Sequence, residues 1–144
     1  MWLKTGDADM ADTATAPSRV LIVDDDDDIR RLVEIVLQKA GIAADSVDGG
    51  IPALEAARST APELVVLDVR MPDMSGLEVC RQLKADESTA GGHILLMSSD
   101  YTTEDVAAGY AAGADDYLPK PFSPGELIRR VTRLLSGVGE PTTL

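Results

Sequence analysis

The sequence predicts an α/β fold, a doubly wound five-stranded parallel sheet with five helices. Three observations lead there. Short continuous apolar runs, of the kind that form strands buried on both faces, occur at Val20–Val23, Leu64–Leu67 and Ile94–Met97. Segments with apolar residues at helical spacing follow them. Two weaker strand candidates complete five strand-then-helix repeats, and that alternation implies right-handed crossovers with helices on both faces of the sheet.

The elements follow in order. Arg19–Asp24 carries the run Val-Leu-Ile-Val and then acids, as a buried first strand ending at an edge. From Asp28 to Ala40 the residues Ile29, Leu32, Val33, Val36 and Ala40 fall at helical spacing, and Gly41 is the stop. Ile42–Val47 is more polar, as an edge strand would be. Residues 50–59 suit a short Ala-rich helix. Leu64–Leu67 is the next strand, ended by Asp68, and Leu77, Cys80, Leu83 and Lys84 mark one face of a third helix. Ile94–Met97 ends at Ser98, and Glu104–Ala112 is helix-compatible with a weak apolar face. Tyr117-Leu118 is a last short strand, closed by Pro119-Lys120-Pro121. Leu127, Ile128, Val131, Leu134 and Leu135 form the stripe of a final helix. Residues 1–18, polar and without periodicity, are expected as a disordered tail, with Met10 as an alternative start. Residues 19–136 form the domain, and 137–144 a tail or the start of a linker.

Composition bounds the function. The chain has 144 residues, 44% of them apolar, and 13 basic against 25 acidic side chains give a net charge of −12. That is enough chain for one domain with a real core. The charge argues against direct nucleic-acid binding by this segment and against anionic membrane surfaces. The lone Cys80 excludes a disulfide framework and a Cys-based zinc site, and its place on an apolar helix face reads as packing. There is no apolar run of about 18 residues to span a membrane, and no secretory signal. A soluble, cytoplasmic domain is expected.

In an open α/β sheet, ligands bind beyond the carboxyl ends of the strands. The first strand here ends in Asp24-Asp25, the third in Asp68, the fourth in Ser98, and the fifth runs into Lys120. The second ends in Val47-Asp48-Gly49, which reads as a turn. Asp26 to Asp28 fall where negative charge suits a helix N-terminus. Three carboxylates packed together repel, and a hard divalent cation such as Mg²⁺, which takes oxygen ligands, relieves the repulsion. A nearby Lys adds a positive charge for a phosphoryl oxygen, and a Ser hydroxyl adds a donor. The set fits phosphoryl transfer, with an Asp carboxylate as nucleophile giving an acyl-phosphate. Arg70 lies two residues after Asp68, and Asp100 two after Ser98, so on adjacent strands both side chains should project over the site's mouth. There they can pair and gate the approach of water. His93 reads as a strand-edge residue, with no second His to pair with it.

Four stretches carry a family resemblance: Val20–Arg31 (VLIVDDDDDIRR), Leu67–Gly76 (LDVRMPDMSG), Leu95–Ser99 (LLMSS) and Gly113–Leu127 (GADDYLPKPFSPGEL). They resemble the signature stretches of response-regulator receiver domains over about residues 19–136. The resemblance implies a flavodoxin-like strand order 2-1-3-4-5 and Mg²⁺-dependent phosphorylation by a sensor histidine kinase or phosphotransfer protein. Asp68 matches the phosphoacceptor and a metal ligand. Asp25 matches the direct ligand, Asp24 the ligand acting through water, and the backbone carbonyl of Arg70 the remaining one. Lys120 matches the phosphate-binding Lys, before a cis bond to Pro121. Ser98 matches the hydroxyl residue that closes on the phosphoryl group, and Tyr117 the aromatic switch.

The implied output is a switched surface of the fourth helix, fifth strand and fifth helix, which binds a partner or an output domain. Asp115, Asp116 and Arg130 match charged positions of a dimer interface there. Val106, Ala108 and Ala111 depart from it, which leaves a monomer or a weak phosphorylation-dependent dimer. The implied protein is not a turnover enzyme, although it self-phosphorylates from small donors and self-dephosphorylates. The alternative is a phosphatase of the haloacid-dehalogenase type. It needs an acid/base Asp where this chain has Arg70, and a cap insertion that is missing here. The segment is either a stand-alone receiver or a piece of a longer regulator.

Overall fold

A computed structural model of the protein describes residues 19–136, and the tails expected at 1–18 and 137–144 lie outside the described residues. Strands and helices alternate throughout: β1 (Val20–Val23), α1 (Asp27–Lys39), β2 (Ala44–Val47), α2 (Gly50–Thr60), β3 (Leu64–Asp68), α3 (Gly76–Ala85), β4 (His93–Ser98), α4 (Thr103–Ala111), β5 (Asp116–Pro119) and α5 (Pro124–Ser136). The five strands pair in parallel in the order β2-β1-β3-β4-β5. The order steps outward from β1 to β2 and then back across to β3, so the crevice at the strand ends opens between β1 and β3.

Alternate side chains of the central strands feed two cores. Leu21, Val23, Val65, Leu67, Ile94 and Leu96 pack with Ala53, Leu54 and Ala57 of α2 and Val79, Cys80 and Leu83 of α3. Val20, Ile22, Leu64, Val66, Leu95 and Met97 pack with Val33, Val36 and Leu37 of α1 and Leu127 and Val131 of α5. Burial on both faces is why these strands read as unbroken apolar runs. The edge strand β2 is only partly buried, which is why its sequence is polar.

Several elements differ in detail from the sequence expectation. On α1 the buried stripe is Val33, Val36 and Leu37, with Ile29 packed against it, while Leu32 is 42% exposed and Ala40 also faces out. Leu32 and Leu37 both fit a helical period with Val33 and Val36, and only packing against α5 and the sheet selects Leu37. On α3 the buried face is Gly76, Val79, Cys80 and Leu83, with Leu77 and Lys84 at its margins. Strand β2 starts two residues late because the Ile42 amide donates to Leu37 O at 2.9 Å, closing the end of α1. Gly41 makes that closure with φ of 79°. Helix α4, weak in apolar residues, is held by a capping box between Thr102 and Asp105 and by close approach of Gly109 to Leu96 and Tyr117.

Candidate functional site

The carboxyl ends of β1, β3, β4 and β5 bring the expected polar residues to one edge. Asp24 continues β1, its amide donating to Val47 O at 3.3 Å, and its side chain is fully buried. Its two carboxylate oxygens have different partners. Oδ1 accepts from the Asp26 amide at 2.9 Å, and Oδ2 accepts from Lys120 Nζ at 3.1 Å. Asp68, the last residue of β3, is 5% exposed, and its Oδ1 accepts from the same Nζ at 2.9 Å. Asp25 is exposed, and a carboxylate oxygen from each of Asp24, Asp25 and Asp68 falls within 4.8 Å of the others. This acidic pocket could hold a metal, and its all-oxygen donors suit a hard divalent cation.

Electrostatics follow from that packing. The Asp68 carboxyl stands raised to about 6: burial is the largest cause, the charges of Asp24 and Asp25 add to it, and the Lys120 contact opposes them. Burial alone would depress the Lys120 ammonium, but hydrogen bonds and charge from Asp68 and Asp24 outweigh it and hold the group above its ordinary value. Lys120 is itself anchored: its amide donates to Ser98 O at 2.8 Å, and the bond to Pro121 is cis.

The loop after β3 is shaped by close contact. A Cβ at Gly76 would lie 2.1 Å from Asp68 O, so only glycine lets α3 start directly against the main chain of Asp68. Asp73, in the same loop, accepts from Gly50 N at 3.0 Å and Ile51 N at 2.9 Å, capping α2 from outside its own segment. These amides hold the Asp73 carboxyl below its usual range.

Ser98 is buried, and its Oγ accepts from the Asp100 amide at 2.9 Å, so it also caps the turn after β4. Arg70 Nε donates to Asp100 Oδ2, pairing the two side chains on adjacent loops. The pair is exposed and adds little to stability. Tyr117 is buried with its ring against Gly109, and its hydroxyl donates to Asp100 O at 2.5 Å. Burial raises the Tyr117 phenol.

Asp115, Asp116 and Arg130 have partners within the chain. Asp116 is buried and accepts from Arg130 and Arg133 at 2.9 Å each. Asp115 accepts from Ile94 N at 2.7 Å and lies 3.6 Å from both Lys84 Nζ and His93 Nδ1. Cys80 is buried, with its thiol raised to about 11 by burial, and it donates to Ala112 O at 3.4 Å. The sequence reading missed the contributions of Asp73, Gly76 and Arg30. All three lie inside the quoted signature stretches, but their partners are set by the fold: Asp73 reaches Gly50 and Ile51, Gly76 packs on Asp68 O, and Arg30 bonds the Asp24 carbonyl.

Residues 20–132 match the family model described as the response regulator receiver domain. This chain belongs to the response-regulator receiver family. The receiver is 40% identical over 131 residues to the DNA-binding response regulator MtrA of Mycobacterium tuberculosis, covering 90% of this chain and 56% of that protein. It is 41% identical over 119 residues to the response regulator MprA of a Mycobacterium species, covering 83% of this chain and 51% of that protein. It thus spans about half the length of the curated relatives it matches. Among solved structures it resembles the BeF3-activated DrrB receiver domain, with TM-score 0.75 and 37% identity over 83% of this chain and 98% of that one. It also resembles a putative response regulator from Chloroflexus aurantiacus, with TM-score 0.79 and 35% identity over 83% of this chain and 98% of that one. Among the described residues, no helix is long and apolar enough to cross a membrane.

Proposed function

We propose that this receiver is a phospho-switch. On this reading, Asp68 takes a phosphoryl group from a phosphohistidine of a sensor histidine kinase or phosphotransfer protein, in a step that requires Mg²⁺. The observation that carries the reading is the Lys120 ammonium set between the buried carboxylates of Asp68 and Asp24, at 2.9 and 3.1 Å. With the Asp68 carboxyl at about 6, most of it is ionised at neutral pH and available as a nucleophile. A carboxylate oxygen of Asp68 bonds to phosphorus as the donor's P–N bond breaks, and the electron pair departs with the imidazole. Lys120 then moves its charge from the carboxylate to a phosphoryl oxygen, and the Ser98 hydroxyl donates to another.

Asp25, Asp68 and the Arg70 carbonyl would hold Mg²⁺ directly. Asp24, whose two oxygens already accept from Asp26 N and Lys120, would reach it through water. The ion supplies positive charge to the transferring group. Arg70 and Asp100 gate the water that hydrolyses the acyl-phosphate. Rearrangement of Ser98 and Tyr117 on phosphorylation alters the surface of α4, β5 and α5, which binds a partner or an output domain. The relatives named as DNA-binding regulators make an attached output domain a reasonable partner. Because the charges of Asp116, Arg130 and Arg133 are satisfied within the chain, the receiver is a monomer or a weak phosphorylation-dependent dimer. It works in the cytoplasm and undergoes self-phosphorylation and self-dephosphorylation rather than turnover of substrates.

The test uses acetyl phosphate with and without Mg²⁺, read by intact mass. Wild type gains one phosphoryl group only with Mg²⁺, and Asp68→Asn gains none. Equal labelling of both proteins, or steady hydrolysis of p-nitrophenyl phosphate, would reject the assignment.

A further inference from the structure

Arg30, on the first turn of α1, holds the acidic loop in shape. Its Nη1 donates to the main-chain carbonyl of Asp24 at 2.9 Å, and its Nη2 donates to the Asp27 carboxylate at 2.6 Å. The Asp24 carbonyl belongs to the peptide that joins Asp24 to Asp25. Because that peptide is planar, fixing its oxygen fixes the direction in which the chain enters Asp25. The following peptide is fixed as well, since the Asp26 amide donates to Asp24 Oδ1 at 2.9 Å. The Asp25 carboxylate itself has no hydrogen-bond or ion-pair partner among the described residues. Those two peptide planes set the direction of its Cα–Cβ bond toward the pocket, the part of its aim that the main chain controls.

We propose that Arg30 is a positioning residue for divalent-cation binding, orienting Asp25 through the Asp24–Asp25 peptide. The inference rests on the reading of the acidic pocket as a Mg²⁺ site. Two effects of Arg30 oppose each other there. Its charge, which also faces Asp27, Asp48 and Glu34, repels an incoming cation, whereas its planar fork sets the geometry that the cation needs. A lysine keeps the charge but lacks the fork that bridges the Asp24 carbonyl and the Asp27 carboxylate, so the two effects can be separated.

Mg²⁺ alone is titrated calorimetrically into wild type, Arg30→Lys and Arg30→Met, and thermal unfolding in chelator is measured beside it. Positioning predicts that both variants bind Mg²⁺ more weakly, by about tenfold, as for other residues that orient metal ligands. Wild-type affinity in Arg30→Lys, or tighter binding in Arg30→Met, would show that only charge acts and would overturn the proposal. A purely structural role would lower the melting temperature in chelator and leave Mg²⁺ affinity unchanged, which also overturns it. Absence of Mg²⁺ binding by wild type would instead remove the metal-site reading, and the inference with it.

Discussion

Replacing Asp68 with Asn should stabilise the metal-free receiver at neutral pH, even though it removes one partner of a buried ion pair. Burial holds the Asp68 carboxyl at about 6, against an ordinary value of 3.8. A raised carboxyl favours the fold when protonated, so the cost of its charge grows as pH rises from the unfolded value to about 6 and is complete above that. A shift of this size corresponds to about 3 kcal/mol at pH 7.5. Asn keeps an oxygen that can accept from Lys120, and Lys120 keeps Asp24 at 3.1 Å, so no buried charge is left alone. We expect Asp68→Asn to gain about 1–3 kcal/mol at pH 7.5 in chelator, or about 4 °C in melting temperature per kcal/mol. The gap should narrow sharply by about pH 4, where wild-type Asp68 is protonated in the fold and partly protonated in the unfolded chain. On the proposed reading of the acidic pocket as a Mg²⁺ site, the ion, by binding the native state alone, should narrow the gap at pH 7.5 by stabilising wild type more than the variant. Urea unfolding at the two pH values measures this. A variant no more stable than wild type at pH 7.5, or a gap unchanged at pH 4, would refute the argument from burial.

Three further outcomes follow from named contacts. Arg70→Ala and Asp100→Ala should each speed loss of the phosphoryl group by up to about fivefold, the equivalent of a 1 kcal/mol pair, and the double variant should be less than additive. Phosphate release kinetics would show strict additivity if the side chains act separately. Gly76→Ala, which forces a methyl to 2.1 Å from Asp68 O, should cost about 1–3 kcal/mol or more and slow labelling of Asp68, read by melting and by mass. Asp73→Ala should cost about 1 kcal/mol at pH 7 through loss of the α2 cap. Because the amides of Gly50 and Ile51 lower the Asp73 carboxyl, that stabilisation is present above the unfolded value of about 4 and fades as pH falls through the folded one. A loss that stays constant down to pH 2 would exclude the cap.

The strands were legible because β1, β3 and β4 are buried on both faces and so are written as unbroken apolar runs. The site was legible for a related reason. Polar residues placed directly after such runs, Asp24, Asp68 and Ser98, are carried to one edge by the sheet itself. What remained hidden depends on contacts between distant segments. Leu32 and Leu37 are equivalent in helical spacing, and the packed partner chooses between them. Asp73 caps a helix that begins 23 residues earlier in the chain, beyond the reach of any local capping pattern. Arg30 bonds a main-chain carbonyl, a contact that leaves no mark in residue type. Asp116 has the composition of an interface charge, and only the fold shows that Arg130 and Arg133 already satisfy it.

On the proposed reading, Asp68, rather than its acidic neighbours Asp24 and Asp25, carries the phosphoryl group. Borohydride reduces an acyl-phosphate to the alcohol with loss of phosphate, leaving homoserine at the position that was phosphorylated. Protein treated with acetyl phosphate and Mg²⁺, then reduced and fragmented for mass spectrometry, should contain homoserine at position 68 alone, and none when Mg²⁺ is chelated. Homoserine at position 24 or 25, or none at all despite Mg²⁺, would contradict the account.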